Sequence, residues 1–273
     1  MIQFLKNFSG SNQNLAEAIN ISCDFQIGSY IKYWGVNQNK SYGYTLEIAG
    51  IINRLDGFSS ITEAGFGENT TMEMFLIKLA KNEIEAYRFN FTWPHLNSGF
   101  KFLENRKLKT NLLISDLCSI LFRGYAFDVE YSSHSIESSR EKEKEVPLEF
   151  YQVTLKYLIL INSMYKLVSE EAKKGMEFHS YMREIKERAE KLGMKVVSYR
   201  HQNSLQKPPN PTELILIKKN VQTANIKNPY MCPYIRTALI DKGECYFSEE
   251  NYFYIPKKWQ YYFFTGFEFN SCN

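Results

Sequence analysis

The chain has 273 residues, 44% of them hydrophobic, and carries 33 Lys and Arg against 30 Asp and Glu for a net charge of +3. This length and apolar content suit one α/β domain with terminal additions, and a near-balanced charge without a basic stripe argues against nucleic acid as a partner. No apolar run approaches the roughly 20 residues of a membrane span, and Met1 to Lys6 lacks a signal peptide's apolar stretch, so no membrane association and a cytoplasmic location are expected.

In chain order, residues 1–57 form an N-terminal segment with an aromatic stretch, Tyr30 to Trp34, and a helical pattern from Thr45 to Leu55. Ile61-Thr62-Glu63-Ala64 reads as a strand that runs into Gly65-Phe66-Gly67, a G-x-G turn of the kind that lets a backbone approach a nucleotide-like ligand. Asn69 or Thr70 is placed to cap a helix through about Lys81. A second strand is expected over Glu85 to Phe91 and a third over Leu112 to Ser115, ending at Asp116. The segment Ala126 to Glu137 includes Ser132-Ser133-His134. The charged run Glu137 to Glu145 reads as a solvated loop or helix start.

Pro147 then suits the first turn of a helix predicted over Leu148 to Ile161, with a fifth strand at Tyr165 to Val168 and a helix from His179 to Leu192 stopped by Gly193. Met194 to Tyr199 and Glu213 to Lys218 read as two further strands. From residue 221 the chain becomes rich in Tyr and Phe, with turn signals at Asp241-Lys242-Gly243 and Ile255-Pro256, and reads as short strands against the core or across a homodimer interface. The five cysteines form no C-x-x-C pair and no zinc spacing, so no metal site and no disulfide framework are expected.

An acidic residue before G-x-G, followed by strands at βαβ distance with polar ends, resembles the Rossmann-like (class I) S-adenosylmethionine-dependent methyltransferases over roughly residues 58–220. Ala126 to Glu137 matches the family's fourth strand and the loop after it. The resemblance implies an α/β fold in three parts: an N-terminal helical cap over 1–57, a core over 58–220 with an antiparallel edge hairpin, and an aromatic-rich extension over 221–273. It implies S-adenosylmethionine as cofactor, held by Glu63, Gly65 and Gly67, by Asn90 where the family has a ribose carboxylate, by Asp116 beside the adenine, by Ser132 at the fourth strand's end, and by Tyr30 from the cap. Asn228-Pro229-Tyr230 departs from the N-P-P-Y motif of DNA-base methyltransferases in residue and in place, and is set aside.

Methyl transfer to a small-molecule or sugar acceptor, through a hydroxyl, is the expected activity, with His134 as its base or hydrogen-bonding positioner because the loop after the fourth strand lies at the sheet's carboxyl edge. Two alternatives compete. An NADP-dependent oxidoreductase would draw on Asn90 beside Arg88, but a dinucleotide fingerprint wants a third glycine where Thr70 stands. A non-catalytic binding module on the same fold is the other.

Overall fold

The computed structural model describes residues 26–36, 38–65, 67, 84–107, 111–122, 124–137, 139, 145–178, 181–201, 211–219, 243–248 and 251–256. The expected helix after Gly67, His179 and the Asn228-Pro229-Tyr230 segment lie outside these residues.

Seven strands make one sheet in the order β3-β2-β1-β4-β5-β7-β6. They are β1 (Ser60–Ala64), β2 (Glu85–Asn90), β3 (Asn111–Ile114), β4 (Phe127–Ser133), β5 (Thr154–Ser163), β6 (Lys195–His201) and β7 (Thr212–Lys218). The first five are parallel, whereas β7 runs antiparallel to both β5 and β6, which is the edge hairpin expected from the sequence. The chain first builds outward from β1 to β2 and β3, then returns to place β4 on β1's other side. The order therefore reverses between β1 and β4, and open α/β sheets hold their ligands at such a point, beyond the carboxyl ends of the strands.

Helices cover both faces. α1 (Ser29–Val36) and α2 (Gln38–Ile52) precede the sheet, and α3 (Trp93–Glu104) joins β2 to β3 with a proline in its first turn. Tyr44, Ile48 and Ile52 of α2 and Phe102 and Leu103 of α3 pack on Ile61, Val129, Tyr131 and Ile159. α4 (Glu145–Val153), α5 (Glu170–Phe178) and α6 (Ile185–Lys191) follow β4 and β5. Val146 and Phe150 of α4 and Ile185 and Ala189 of α6 pack on the other face, against Phe89, Leu158, Leu160 and Ile215. The N-terminal helix expected over Thr45 to Leu55 begins seven residues earlier, at Gln38, and ends at Ile52.

The one large misreading falls on 148–168. The predicted helix over Leu148 to Ile161 is two elements: α4 stops at Val153, and β5 runs from Thr154 to Ser163. Tyr165–Leu167, expected to be the fifth strand, is a single 3₁₀ turn, and Glu170 and Glu171 open α5 instead of closing a strand. The cause is physical. Leu158 and Leu160 enter one core and Ile159 and Ile161 the other, so β5 is apolar on both faces and carries neither a period of two nor one of 3.6. At the C-terminal end of α6, Gly193 has φ +79° and its N–H reaches the Glu190 carbonyl at 2.9 Å, the helix stop expected there. In the aromatic extension, β8 (Gly243–Ser248) and β9 (Asn251–Pro256) pair antiparallel as a hairpin, with β9 close to β3. No helix among the described residues is long and apolar enough to cross a membrane.

Within the sheet, Glu130 and its register partner Thr62 lie fully buried, and among the described residues neither Glu130 oxygen nor the Thr62 hydroxyl has a hydrogen-bond partner. Burial pushes the Glu130 carboxyl well above the usual range, which favours its protonated form in the folded protein. An unfolded glutamate titrates near 4.3, so above that pH the unfolded state sheds a proton that the folded state keeps, and stability falls as pH rises through the window. Glu130→Leu is expected to raise the unfolding free energy by about 1 to 3 kcal/mol at pH 8, the cost of an unsatisfied buried polar group. Urea unfolding at pH 5 and pH 8 checks this: the gain at pH 8 must exceed that at pH 5, and equal gains would contradict it.

Candidate functional site

The first turn of the site follows β1. Gly65 has φ +71° and donates its N–H to the Phe89 carbonyl at 2.9 Å. A Cβ on Gly65 would stand 2.2 Å from the Cβ of Ser135, so the loop after β4 occupies the space a side chain would need. Ser135 is fixed there, its hydroxyl donating to the Ala64 carbonyl at 2.9 Å and lying 2.6 Å from the Ser132 hydroxyl. Gly67 also has positive φ, +56°, but among the described residues no atom lies within 4 Å of the place its Cβ would take. Gly65 thus seats the β4 loop on β1, a contact that Gly67 does not make with any described residue.

One residue earlier along the strands, Glu63, Arg88 and Tyr131 form a row across β1, β2 and β4, on the face that α2 covers. Glu63 and Arg88 are buried, and their contact is single and long: Arg88 Nε to Glu63 Oε2 at 3.6 Å. Burial pushes the Glu63 carboxyl up to about 7, with the neighbouring guanidinium opposing the shift. Above this row Tyr44 of α2 hydrogen-bonds the Ser133 hydroxyl, which ties the N-terminal cap to the end of β4.

On the other side of β1, Asn90 ends β2 and its carboxamide oxygen accepts the Phe91 N–H at 2.7 Å. Asp116 follows β3, and its carboxylate accepts the Cys118 N–H at 2.8 Å as an Asx turn. Both stand at the carboxyl edge, and each has a second oxygen or amide group beyond these contacts.

Beyond β4, His134 takes φ +52°, a left-handed position that histidine enters more readily than most residues. Its N–H binds the Ile161 carbonyl at 2.9 Å, and its Nδ1 lies 2.6 Å from Glu137 Oε1. Glu137 is buried, and the same Oε1 accepts the Ser163 N–H at 3.0 Å and the Ser163 hydroxyl at 3.1 Å. Burial works against its charge, yet His134 and the Ser163 donors together hold its carboxyl below the usual range. An ionised carboxylate only accepts hydrogen bonds, so Nδ1 is the donor in this contact and Nε2 stands outside it. Glu137, read from the sequence as the start of a solvated run, is instead a buried anchor. Its i,i+3 spacing from His134 was the available signal, hidden among the charges that follow it.

Tyr30 of α1 is 47% exposed and meets His95 of α3 edge-on at 6.1 Å between ring centres. Burial, with Glu137 and Tyr30 nearby, pushes the Tyr181 hydroxyl up to about 12. No group of three or more His, Cys, Asp or Glu among the described residues is arranged to hold a metal ion.

No family model matches the chain, and no curated protein matches it in sequence. Solved structures do match its fold. The magnesium protoporphyrin IX methyltransferase of Synechocystis, solved with bound S-adenosylhomocysteine, aligns at TM-score 0.54 and 11% identity over 73% of this chain and 99% of its own. A putative methyltransferase of Haloferax volcanii, in complex with its activator, aligns at TM-score 0.54 and 10% identity over 73% and 98%. The cyclase SpnF aligns at TM-score 0.53 and 11% identity over 64% and 80%. The chain has the Rossmann-like fold of the class I methyltransferases. As a cyclase shares it, the reaction has to be argued from the site.

Proposed function

We propose that this chain binds S-adenosylmethionine at the β1–β4 switch point and transfers its methyl group to a small-molecule or sugar hydroxyl. The observation that carries the reading is the turn after β1. Two glycines of positive φ lie there, the first pressed on Ser135 and the second with no described residue where its Cβ would stand, in a seven-stranded sheet of methyltransferase order. In this reading Glu63, Gly65, Gly67, Asn90, Asp116, Ser132 and Tyr30 surround the cofactor, and His134 faces the acceptor. When bound, the cofactor supplies a methyl already activated by its sulfonium charge. The chain's own task is to hold the acceptor oxygen in line, a positioning effect worth about 7 to 11 kcal/mol, and to receive the hydroxyl proton on His134 Nε2.

The oxidoreductase alternative would need Arg88 for a ribose phosphate, but Arg88 is buried against Glu63. Calorimetry with S-adenosylhomocysteine tests the cofactor. The native chain is expected to bind it, and Gly67→Val to lose binding while still folding, with only the backbone strain of its φ of +56° lowering the melting temperature, because its Cβ meets no described residue. Unchanged affinity in a folded Gly67→Val protein would contradict the assignment of this loop.

A further inference from the structure

The loop after β4 buries a charge that its own seating does not need. Three bonds hold its backbone without the Glu137 carboxylate. His134 donates its N–H to the Ile161 carbonyl at 2.9 Å, the Ser135 hydroxyl donates to the Ala64 carbonyl at 2.9 Å, and the Glu137 carbonyl accepts the Met182 N–H at 2.5 Å. A buried carboxylate is costly unless donors complete it, and an amide or apolar side chain would fill the place at less cost. Yet three donors converge on Glu137 Oε1: the Ser163 N–H, the Ser163 hydroxyl and His134 Nδ1. Ser163 is buried at the end of β5, whereas the His134 side chain is 35% exposed. Of these donors, only the imidazole also reaches the open carboxyl edge of the sheet.

We infer that Glu137 is a positioning residue for methyl transfer, holding a ring proton on His134 Nδ1 so that Nε2 takes the acceptor's proton, with Ser163 holding Glu137 in turn. The inference rests on the role proposed above for His134 and adds two residues that act through it. In the step, the acceptor's O–H bond breaks and an Nε2–H bond forms, while the oxygen's electron pair joins the methyl carbon and sulfur keeps the pair of the broken S–C bond. Positive charge then passes to the imidazole ring. The Glu137 carboxylate, already 2.6 Å from Nδ1, offsets that charge without moving.

Two measurements on the full chain test this. Imidazole nitrogen NMR, with the His134 signal identified by its loss in His134→Asn, is expected to find the proton of the neutral ring on Nδ1. A proton on Nε2 overturns the inference. Methyl transfer is then followed from methyl-labelled S-adenosylmethionine to a panel of methyl glycosides and phenols. Glu137→Gln keeps the shape and an oxygen for Ser163 but loses the charge. It is expected to lower kcat by about ten- to a hundredfold, the scale of a lost charged hydrogen bond, with KM for S-adenosylmethionine within a few fold. In the His134→Asn background the same change is expected to cost nothing further, because Glu137 acts only through the ring. Equal losses in both backgrounds mark a merely structural carboxylate and overturn the inference, as does an unchanged rate in Glu137→Gln. Where melting scans show that Glu137→Gln fails to fold, Ser163→Ala replaces it and must show the same dependence on His134. If the native chain binds S-adenosylhomocysteine but methylates no member of the panel, the hydroxyl acceptor falls and the positioning role with it. If it binds no S-adenosylhomocysteine, the cofactor reading itself falls.

Discussion

His134→Ala is expected to lower methyl transfer by roughly a hundredfold to ten-thousandfold while leaving S-adenosylhomocysteine affinity within a few fold. The separation follows from the geometry. Nδ1 of His134 is committed to Glu137 at 2.6 Å, and Glu137 is itself fixed by both donors of Ser163, so the ring has one orientation and its proton one place. An imidazole held in this way keeps Nε2 ready as an acceptor without a reorganisation at the moment of reaction. The groups that meet the cofactor in our reading stand on or just after β1, β2 and β3, with Ser132 on β4 and Tyr30 on α1, and none of them hydrogen-bonds His134 among the contacts described. His134→Asn is the better control than alanine for the backbone, because asparagine tolerates the left-handed φ of +52°. Single-turnover rates with an identified acceptor hydroxyl, beside calorimetry for the cofactor product, measure the two effects separately. Equal losses in both would make His134 part of the cofactor site instead.

How far the sequence revealed this arrangement depends on how local each signal is. The β1 turn was legible because glycine has few substitutes at positive φ, and both Gly65 and Gly67 adopt it. The parallel strands β1 to β4 were legible because each short apolar run ends in a polar residue at the sheet edge. β5 was not, since a strand buried on both faces loses its alternation, and the proline in the first turn of α4 gave the preceding helix too much weight. Arg88 and Glu137 were missed for another reason. A charged residue in sequence reads as solvated, and only the register that sets Arg88 beside Glu63, and the β4 loop that turns Glu137 onto Ser163, bury them. Pairing across strands is not local information, so no pattern within either segment carried it. At Gly65 the structure adds a demand that the sequence did not show: Ser135 stands where a side chain would go.

The Gly65–Ser135 contact makes the second large prediction. Gly65→Val is expected to damage the protein more broadly than Gly67→Val, although the two positions are two residues apart in one motif. At Gly65 a Cβ would lie 2.2 Å from the Ser135 Cβ and 2.6 Å from its hydroxyl, and the φ of +71° disfavours a β-branched residue independently of that clash. Ser135 cannot give way freely, because its hydroxyl links the Ala64 carbonyl to Ser132 and it lies next to His134, whose ring is tied to Glu137. The loop after β4 must therefore move away from β1, and with it the acceptor side of the site. Overpacking of this kind costs about 1 to 3 kcal/mol, and the strained φ adds roughly 1 to 3 kcal/mol more. Gly65→Val is thus expected to lower the melting temperature by several degrees and to lose both cofactor binding and methyl transfer, whereas Gly67→Val, which carries the φ strain without the Ser135 clash, loses binding with a smaller drop in melting temperature. The double variant Gly65→Ala/Ser135→Gly, which removes the clashing side chain, is expected to recover part of the stability lost in Gly65→Ala alone. Additive effects in that cycle, measured by denaturant unfolding, would mean that the β4 loop is not what Gly65 accommodates.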